Sequence, residues 1–124
     1  MTERRKHGLI VKELWEDMAE YVYKYVLRCM PKEDRFTLGE DIQSIIFSVE
    51  IKLKHLERRY GNRGVLLNEV DVAAGVLMDL IRLGIRLQSI PKARSEPMAE
   101  KLDKIGSYIG GLKKSHAKAL GTDQ

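Results

Sequence analysis

Turn-forming residues are concentrated at three places in this chain, and the stretches between them contain almost no helix-breaking prolines. The three turns centre on Pro31, on residues 60–64 and on Pro91. Each intervening segment is about 20 residues long, which is an ordinary length for a helix and several times that of a strand. The turns therefore predict four long elements, and the period of the apolar residues decides their type.

Every segment repeats apolar residues at intervals of three and four, the period of an amphipathic helix with one buried face. In the second segment, Ile42, Ile46 and Val49 belong to one such stripe. No segment shows the strict alternation of apolar and polar residues that is typical of a strand. The stripes predict helices over residues 9–29, 37–60, 68–89 and 95–113.

Residues suited to helix ends lie near these limits. Thr37 and Glu40 have the spacing of a capping box, in which the two side chains bond the first free amides of the second helix. Gly61 suits the left-handed conformation that often follows a helix, and Asn68 is a good N-cap for the third helix. The paired glycines at 110–111 are expected to weaken the fourth helix near its end.

Four helices joined by short loops predict an all-α fold, an antiparallel up-down-up-down four-helix bundle. A length of 124 residues is enough for one hydrophobic core, so we expect a single domain over residues 1–124. The residues before the first predicted helix are expected to form a flexible basic N-terminus, and those after the last one a C-terminal tail.

Composition excludes several classes of protein. Hydrophobic residues make up 44% of the chain, too many for a disordered tail, yet no apolar run is long enough to span a membrane. No signal-peptide pattern opens the sequence, and Cys29 is the only cysteine, so an intrachain disulfide is impossible. These features predict a cytoplasmic protein.

Cys29 itself lies at the inner edge of the first stripe, which predicts a small core side chain.

The sequence contains no recognisable catalytic or metal-binding constellation. Di-iron sites in four-helix bundles use Glu-x-x-His pairs, and none is present. His7, His55 and His116 fall in different regions, and neither a Gly-x-Ser-x-Gly elbow nor a phosphate-binding glycine loop occurs. We therefore expect no catalytic residue, no metal and no cofactor.

Basic residues are distributed unevenly along the predicted bundle. The 22 lysines and arginines exceed the acidic residues by only four, but an antiparallel arrangement collects many of them at one end. Bases at this density can neutralise several phosphates, so this end is predicted to bind nucleic acid without reading its sequence. The alternative is a solvated basic face, because helix C-termini favour basic residues in any bundle. The residues predicted to contact nucleic acid are Arg4, Arg5, Lys52, Lys54, Arg58, Arg59, Arg63, Lys113 and Lys114.

Some apolar residues lie off the core stripes. Phe47 and Ile51 are neighbours on the second helix but point away from its stripe, and Tyr23 and Leu27 are related in the same way on the first helix. Such pairs predict contacts between subunits, because large apolar patches are rarely left in water. We therefore expect a homo-oligomer, with a monomer that carries a few surface hydrophobes as the alternative.

Three stretches resemble a known family. Residues 30–39 (MPKEDRFTLG) open the second helix, residues 79–83 (DLIRL) lie in the third, and residues 99–106 (AEKLDKIG) lead to the Gly-Gly-Leu at 110–112. Together they resemble the Avd proteins, the accessory variability determinants of diversity-generating retroelements. Avd-like chains belong to a wider four-helix-bundle family that includes proteins encoded in ribosomal-RNA intervening sequences.

The resemblance implies a function and an assembly. Avd proteins form a pentameric, positively charged barrel that binds the retroelement reverse transcriptase and nucleic acid, so a ring-like homopentamer is implied. They support the mutagenic copying of a template-repeat RNA into cDNA, which implies RNA and DNA partners and no catalysis. Gly106 lies beside the apolar stripe of the fourth helix, where the lack of a side chain is expected to let a neighbouring helix approach closely. The alternative function is a structural or protein-interaction bundle of the intervening-sequence type. That branch typically carries a Ser-Asn-Ile-Ala-Glu-Gly-like stretch where this chain has residues 48–54 (SVEIKLK), which favours the Avd branch.

Overall fold

The protein is all-helical in the part of the chain that the structure describes. A computed structural model describes the backbone of residues 3–121 and the side chains of residues 10–121, and no strand occurs in that range. The four long helices are α1 (Glu3–Tyr21), α2 (Leu38–Glu57), α3 (Arg63–Arg86) and α4 (Ser95–Ala119). The predicted helical fold class is confirmed.

The helices pack as an antiparallel bundle in which α1 and α3 each contact both α2 and α4. The direction follows from two contacts between α1 and α2: Lys12 lies beside Glu57, while Trp15, further along α1, contacts Ile46, which lies further back on α2. Trp15, Met18 and Ile105 are fully buried at the centre. The Trp15 indole also donates a hydrogen bond of 3.2 Å to the carbonyl of Ile46, which ties α1 to α2 inside the core.

The end of the first helical segment is irregular, and this overturns one predicted interface residue. A π-helical turn spans Val22–Val26, and a 3-10 turn follows at Leu27–Cys29. Because the Leu27 amide bonds the carbonyl of Val22, five residues back, the extra residue rotates Leu27 out of line with Tyr23. Leu27 is only 6% exposed and belongs to the core, so its assignment to the subunit interface was wrong.

The same irregularity displaces the cysteine. Cys29 is exposed, so the prediction of a core side chain was wrong. Its thiol donates to the carbonyl of Tyr25 at 3.2 Å, which keeps it on the outside of the 3-10 turn.

Helix α2 begins without the predicted capping box. The Thr37 hydroxyl donates to the carbonyls of Glu33 and Asp34, both at 3.3 Å, and makes no cap bond to α2. Those carbonyls belong to a short helical turn at Lys32–Arg35, whose end Thr37 closes. Local side-chain bonding to the preceding turn therefore replaces the expected bond to the following helix.

Helix α3 begins five residues before the predicted position. The Asn62 side chain accepts a hydrogen bond of 3.0 Å from the Val65 amide, so Asn62 is the N-cap in place of Asn68. The early start buries Leu66 and Leu67 against the core. Burial of this first turn outweighs the low helix propensity of Gly64.

Helix α4 continues past its paired glycines to Ala119, six residues beyond the predicted end. Ile109 and Leu112 are buried on either side of residues 110–111, and their packing holds the helix together. Gly106 does not mark a close approach within the protomer, because a Cβ added there would meet no atom within 4 Å. That expectation was wrong for a single chain.

Candidate nucleic-acid interface

Three helix ends and one loop meet at one end of the bundle, which we call the basic end. It comprises the end of α2, residues 58–62, the start of α3 and the last turns of α4. Arg58 and Lys114 are exposed there. The antiparallel packing therefore brings together bases that lie more than fifty residues apart in the sequence.

The end of α2 has a specific turn geometry that positions two side chains of the basic end. Arg59 adopts a left-handed conformation with φ of 57°, and its amide bonds the carbonyl of Leu56 at 3.2 Å. The Tyr60 amide bonds the carbonyl of His55 at 2.8 Å. These two bonds form a Schellman motif, in which the left-handed residue is Arg59 and not the predicted Gly61. Gly61 also has a positive φ, of 81°, but it lies beyond the motif.

The motif places the Tyr60 ring on the imidazole of His55. The two ring centroids are 4.9 Å apart and the planes are inclined by 55°. A contact between these two positions commonly accompanies a Schellman motif. Tyr60 is nevertheless 67% exposed, so it does not belong to the core.

An open cavity of about 320 Å³, which we call the end cleft, lies between α2, α3 and α4 at the basic end. Its lining combines imidazole, phenol and guanidinium groups with aliphatic side chains. The polar and aromatic lining residues are His55, Arg59, Tyr60, Arg63 and His116. The apolar lining residues are Leu56, Leu66, Ala119 and Leu120.

His55 and His116 come together although they lie 61 positions apart in sequence number. The expectation that the histidines fall in different regions was therefore wrong for this pair. The imidazole of His116 rests against the first turn of α3, where a Cβ added to Gly64 would lie 3.2 Å from its Nε2. The absence of a side chain at Gly64 makes this close approach possible.

A second basic group lies in the groove between α1 and α2, and it is partly neutralised. The Lys54 ammonium lies 2.8 Å from Oε1 of Glu57, and the Lys12 ammonium lies 4.0 Å from the same oxygen. The hydrogen bond from Lys54 lowers the pKa of Glu57, and the same bond raises the pKa of Lys54. Glu57 therefore stays ionised and offsets part of the charge that was predicted for nucleic-acid contact.

Lys52 and Lys113 are also engaged with neighbours. The Lys52 ammonium donates to the Ser48 hydroxyl at 2.8 Å. The Lys113 ammonium lies 3.2 Å from a carboxylate oxygen of Asp71 and 3.3 Å from Oδ1 of Asn68. Lys113 thus links α4 to α3 along the side of the bundle.

Of the nine predicted contact residues, the seven whose side chains the structure describes do not form one surface. Arg59 and Arg63 line the end cleft, Arg58 and Lys114 are exposed nearby, and three lysines have partners on the flanks. The side chains of Arg4 and Arg5 lie outside the described residues. Sequence reasoning missed His55, His116 and Lys12, although the antiparallel topology that collected the lysines applies equally to the two histidines.

Three of the four predicted interface residues are exposed. Phe47 is 67% exposed on α2, with Ile51 one turn further on, and Tyr23 is also exposed. Val72 and Val76 form a similar exposed pair on α3. These positions are accessible to another molecule, and the interface itself remains a prediction.

Two further searches concern metal ions and membranes. Among the described side chains, no three His, Cys, Asp or Glu residues are placed to share a metal ion. Within residues 3–121, no helix has both the length and the apolar content that a membrane span requires.

Comparison with known proteins identifies the family. No curated protein and no solved structure matches the chain. A family model described as bAvd-like matches residues 9–116, which is most of the sequence and includes α2, α3 and the greater part of α1 and α4. The chain therefore belongs to the bAvd-like family.

Proposed function

We propose that this chain is a non-enzymatic accessory protein of a diversity-generating retroelement, and that its basic end binds RNA or DNA. Membership of the bAvd-like family supports the accessory role. The observation that carries the nucleic-acid part is the end cleft, where Arg59, Arg63 and His116 from three different elements line one opening. Arginine binds phosphate well because its guanidinium is always charged and has several donors.

The proposed partners are the retroelement reverse transcriptase, the template-repeat RNA and further copies of this chain. In this proposal the protein holds RNA or DNA beside the polymerase while a mutagenic cDNA is copied. Self-association into a ring-like homopentamer would repeat the basic end several times around one assembly, and each added copy would raise the effective concentration of phosphate-binding sites. The exposed apolar residues Phe47 and Ile51 are the proposed contacts between copies.

A specific observation favours a second candidate function, a protein-interaction bundle whose basic end is only a solvated face. Lys54 and Lys113 already have carboxylate partners, Glu57 and Asp71. Such pairs are common on protein surfaces and contribute solubility without any ligand. This candidate predicts no measurable affinity for nucleic acid even at low salt.

Salt dependence of RNA binding separates the two candidates. For the accessory protein, we expect the logarithm of the affinity to fall linearly as the logarithm of the salt concentration rises, because bound lysines and arginines release counterions from the phosphates. Fluorescence anisotropy with a labelled RNA measures this slope. An absence of binding in low salt, or binding that salt does not weaken, contradicts the proposal.

A matched pair of charge-reversal variants locates the site. Reversal of Arg58, Arg59 and Lys114 to glutamate should lower the RNA affinity by about tenfold or more. The control reverses Lys32, Arg86 and Lys92, three exposed bases from the opposite end of the bundle. Both variants change the net charge from +4 to −2, so a difference between them reports position and not total charge. Equal losses would show that the basic end is not the binding surface.

The retroelement role is tested separately. A reverse transcriptase gene is expected beside the gene for this chain, and the purified polymerase should co-elute with the protein in gel filtration. Failure of the two purified proteins to associate, with and without template RNA, would contradict the polymerase partnership.

A further inference from the structure

The end cleft has the size of a site for one small ligand. Its volume of about 320 Å³ is at the lower limit of pockets that hold small molecules and cofactors. A duplex, in which bases are stacked and paired, presents no single unit that could enter such a space. A nucleotide with its base unstacked is a unit of suitable size.

The lining of the cleft combines the two kinds of chemical group that a nucleotide would need. The guanidinium groups of Arg59 and Arg63 and the imidazole of His116 supply donors that suit a phosphate. Tyr60 and the side chains of Leu66 and Leu120 supply aromatic and aliphatic surface. A ligand that contacts both kinds of group carries an anion and a flat apolar ring.

The aromatic element is exposed and held in place. Tyr60 keeps 67% of its surface in solvent although it contacts His55, so ring area remains for stacking. The Schellman motif fixes its backbone, and the Asn62 cap fixes the first turn of α3 on the other side of the cleft. Bases stack on exposed aromatic rings in many proteins that bind single strands without sequence preference.

We propose that the end cleft receives one unpaired nucleotide of an RNA or DNA strand, with its base on Tyr60 and its phosphate between Arg59, Arg63 and His116. This inference rests on the proposed function, because the strand reaches the cleft through the basic end. It adds a preference that charge alone does not provide: single strands bind more tightly than duplexes of equal phosphate number. The cleft offers stacking and phosphate contacts, so the preference is insensitive to base identity.

Adenosine 5′-monophosphate is the first probe, and its binding is monitored by the amide NMR shifts of the full chain. We expect saturable shifts at His55, Tyr60 and His116, and at least tenfold weaker binding of adenosine or inorganic phosphate alone. Equal binding of inorganic phosphate would show a plain anion site and overturn the proposal. Shifts confined to residues outside the cleft would also overturn it.

Substitution of Tyr60 provides the second test. Tyr60→Ala should weaken binding of a single-stranded oligonucleotide by about tenfold, the loss expected for one stacked base, and leave duplex binding unchanged. Tyr60→Phe should retain the affinity, because the ring and not the hydroxyl is used. The matched control is Phe36→Ala, which removes an exposed aromatic residue near the opposite end. Equal losses for single strand and duplex would contradict the proposal.

Tyr60→Ala could weaken binding by unfolding the turn after α2, so a second variant outside that turn is needed. Arg63→Gln removes the charge but keeps a polar side chain, and it should weaken binding of the monophosphate more than binding of the nucleoside. A single strand must also displace the bound monophosphate. If the monophosphate binds and no strand displaces it, the cleft is a site for a free nucleotide and the inference is wrong.

The two proposals fail in different ways. If RNA binds with the expected salt slope but Tyr60→Ala does not discriminate single strands from duplexes, only the further inference falls. If no RNA binds in low salt, the proposed function is contradicted. The proposal that a strand enters the cleft is then contradicted as well, whether or not the monophosphate binds.

Discussion

Arg59 and Gln88 share one left-handed backbone conformation, with φ of 57° and 60°, and each directly follows the last turn of one of two consecutive helices. In both turns, an amide bonds a carbonyl five residues earlier at 2.8 Å. Neither residue is glycine, although this conformation is unfavourable for a residue with a Cβ atom. One of them lines the end cleft and the other lies at the opposite end of the bundle, so they form a natural matched pair.

Replacement of either residue by glycine separates stability from binding. Arg59→Gly and Gln88→Gly should each raise the free energy of unfolding by about 0.5 kcal/mol, because relief of the left-handed strain exceeds the entropic cost of glycine. Only Arg59→Gly should weaken RNA binding. Urea denaturation and RNA titration at one salt concentration measure the two effects. Equal loss of affinity in both variants would contradict the role of Arg59.

Gly84 is required for the turn between α3 and α4. A Cβ at this position would overlap Cδ1 of Ile90 and lie 2.8 Å from its Cγ1, because Ile90 folds back over the end of α3. Gly84→Ala should therefore lower the free energy of unfolding by about 1–3 kcal/mol.

Gly75→Ala on the same helix is the control for Gly84→Ala. Its Cβ would meet no atom within 4 Å, and it should gain about 0.5–1 kcal/mol from helix propensity. Urea denaturation of both variants checks the prediction, and equal effects would contradict it.

The bundle could be predicted from the sequence because the apolar residues that repeat with helical spacing are the residues that the structure buries. Ile42, Ile46 and Val49 repeat with a helical spacing, and all three are buried in the core. Helix ends were harder to predict because they depend on local competition for hydrogen bonds. The Thr37 hydroxyl could donate to two preceding carbonyls or accept from an amide of the following helix. The residue type alone does not decide which of these bonds forms.

The site was harder to predict than the fold, for two physical reasons. The π turn before Leu27 changes which residues share a face, and a fixed angle of 100° per residue cannot anticipate it. The end cleft is produced by the turn after α2, which sets the Tyr60 ring on His55. Charge placement therefore pointed to the end of the bundle where the end cleft lies, but it did not point to the aromatic and imidazole groups that line the cleft.

The exposed pair on α2 provides a test of self-association. The chain has a mass of 14.2 kDa, and light scattering of the wild type should give a multiple of that value. Phe47→Asp combined with Ile51→Asp should reduce the mass to that of one chain, since each places a charge in an apolar contact. Phe36→Asp, an exposed aromatic elsewhere, is the control and should leave the assembly intact. A wild-type mass of one chain would refute assembly, and dissociation by the control alone would place the interface elsewhere.

Glu50 gives the protein a predictable dependence of stability on pH. Burial raises the pKa of this carboxyl, and the nearby charge of Glu16 raises it further. Its Oε1 is buried without a hydrogen-bond partner among the described atoms. Because the folded state holds the Glu50 proton more tightly than the unfolded state, this group favours folding below the ordinary glutamate pKa. That contribution is lost as the pH rises through the raised pKa of Glu50.

Glu50→Gln should therefore raise the melting temperature at pH 7, and the gain should shrink at pH 4. Glu13→Gln, which removes an exposed carboxylate from α1, is the matched control for net charge. Thermal unfolding at both pH values measures the difference, and an equal gain at pH 4 and pH 7 would show that ionisation of Glu50 is not its cause.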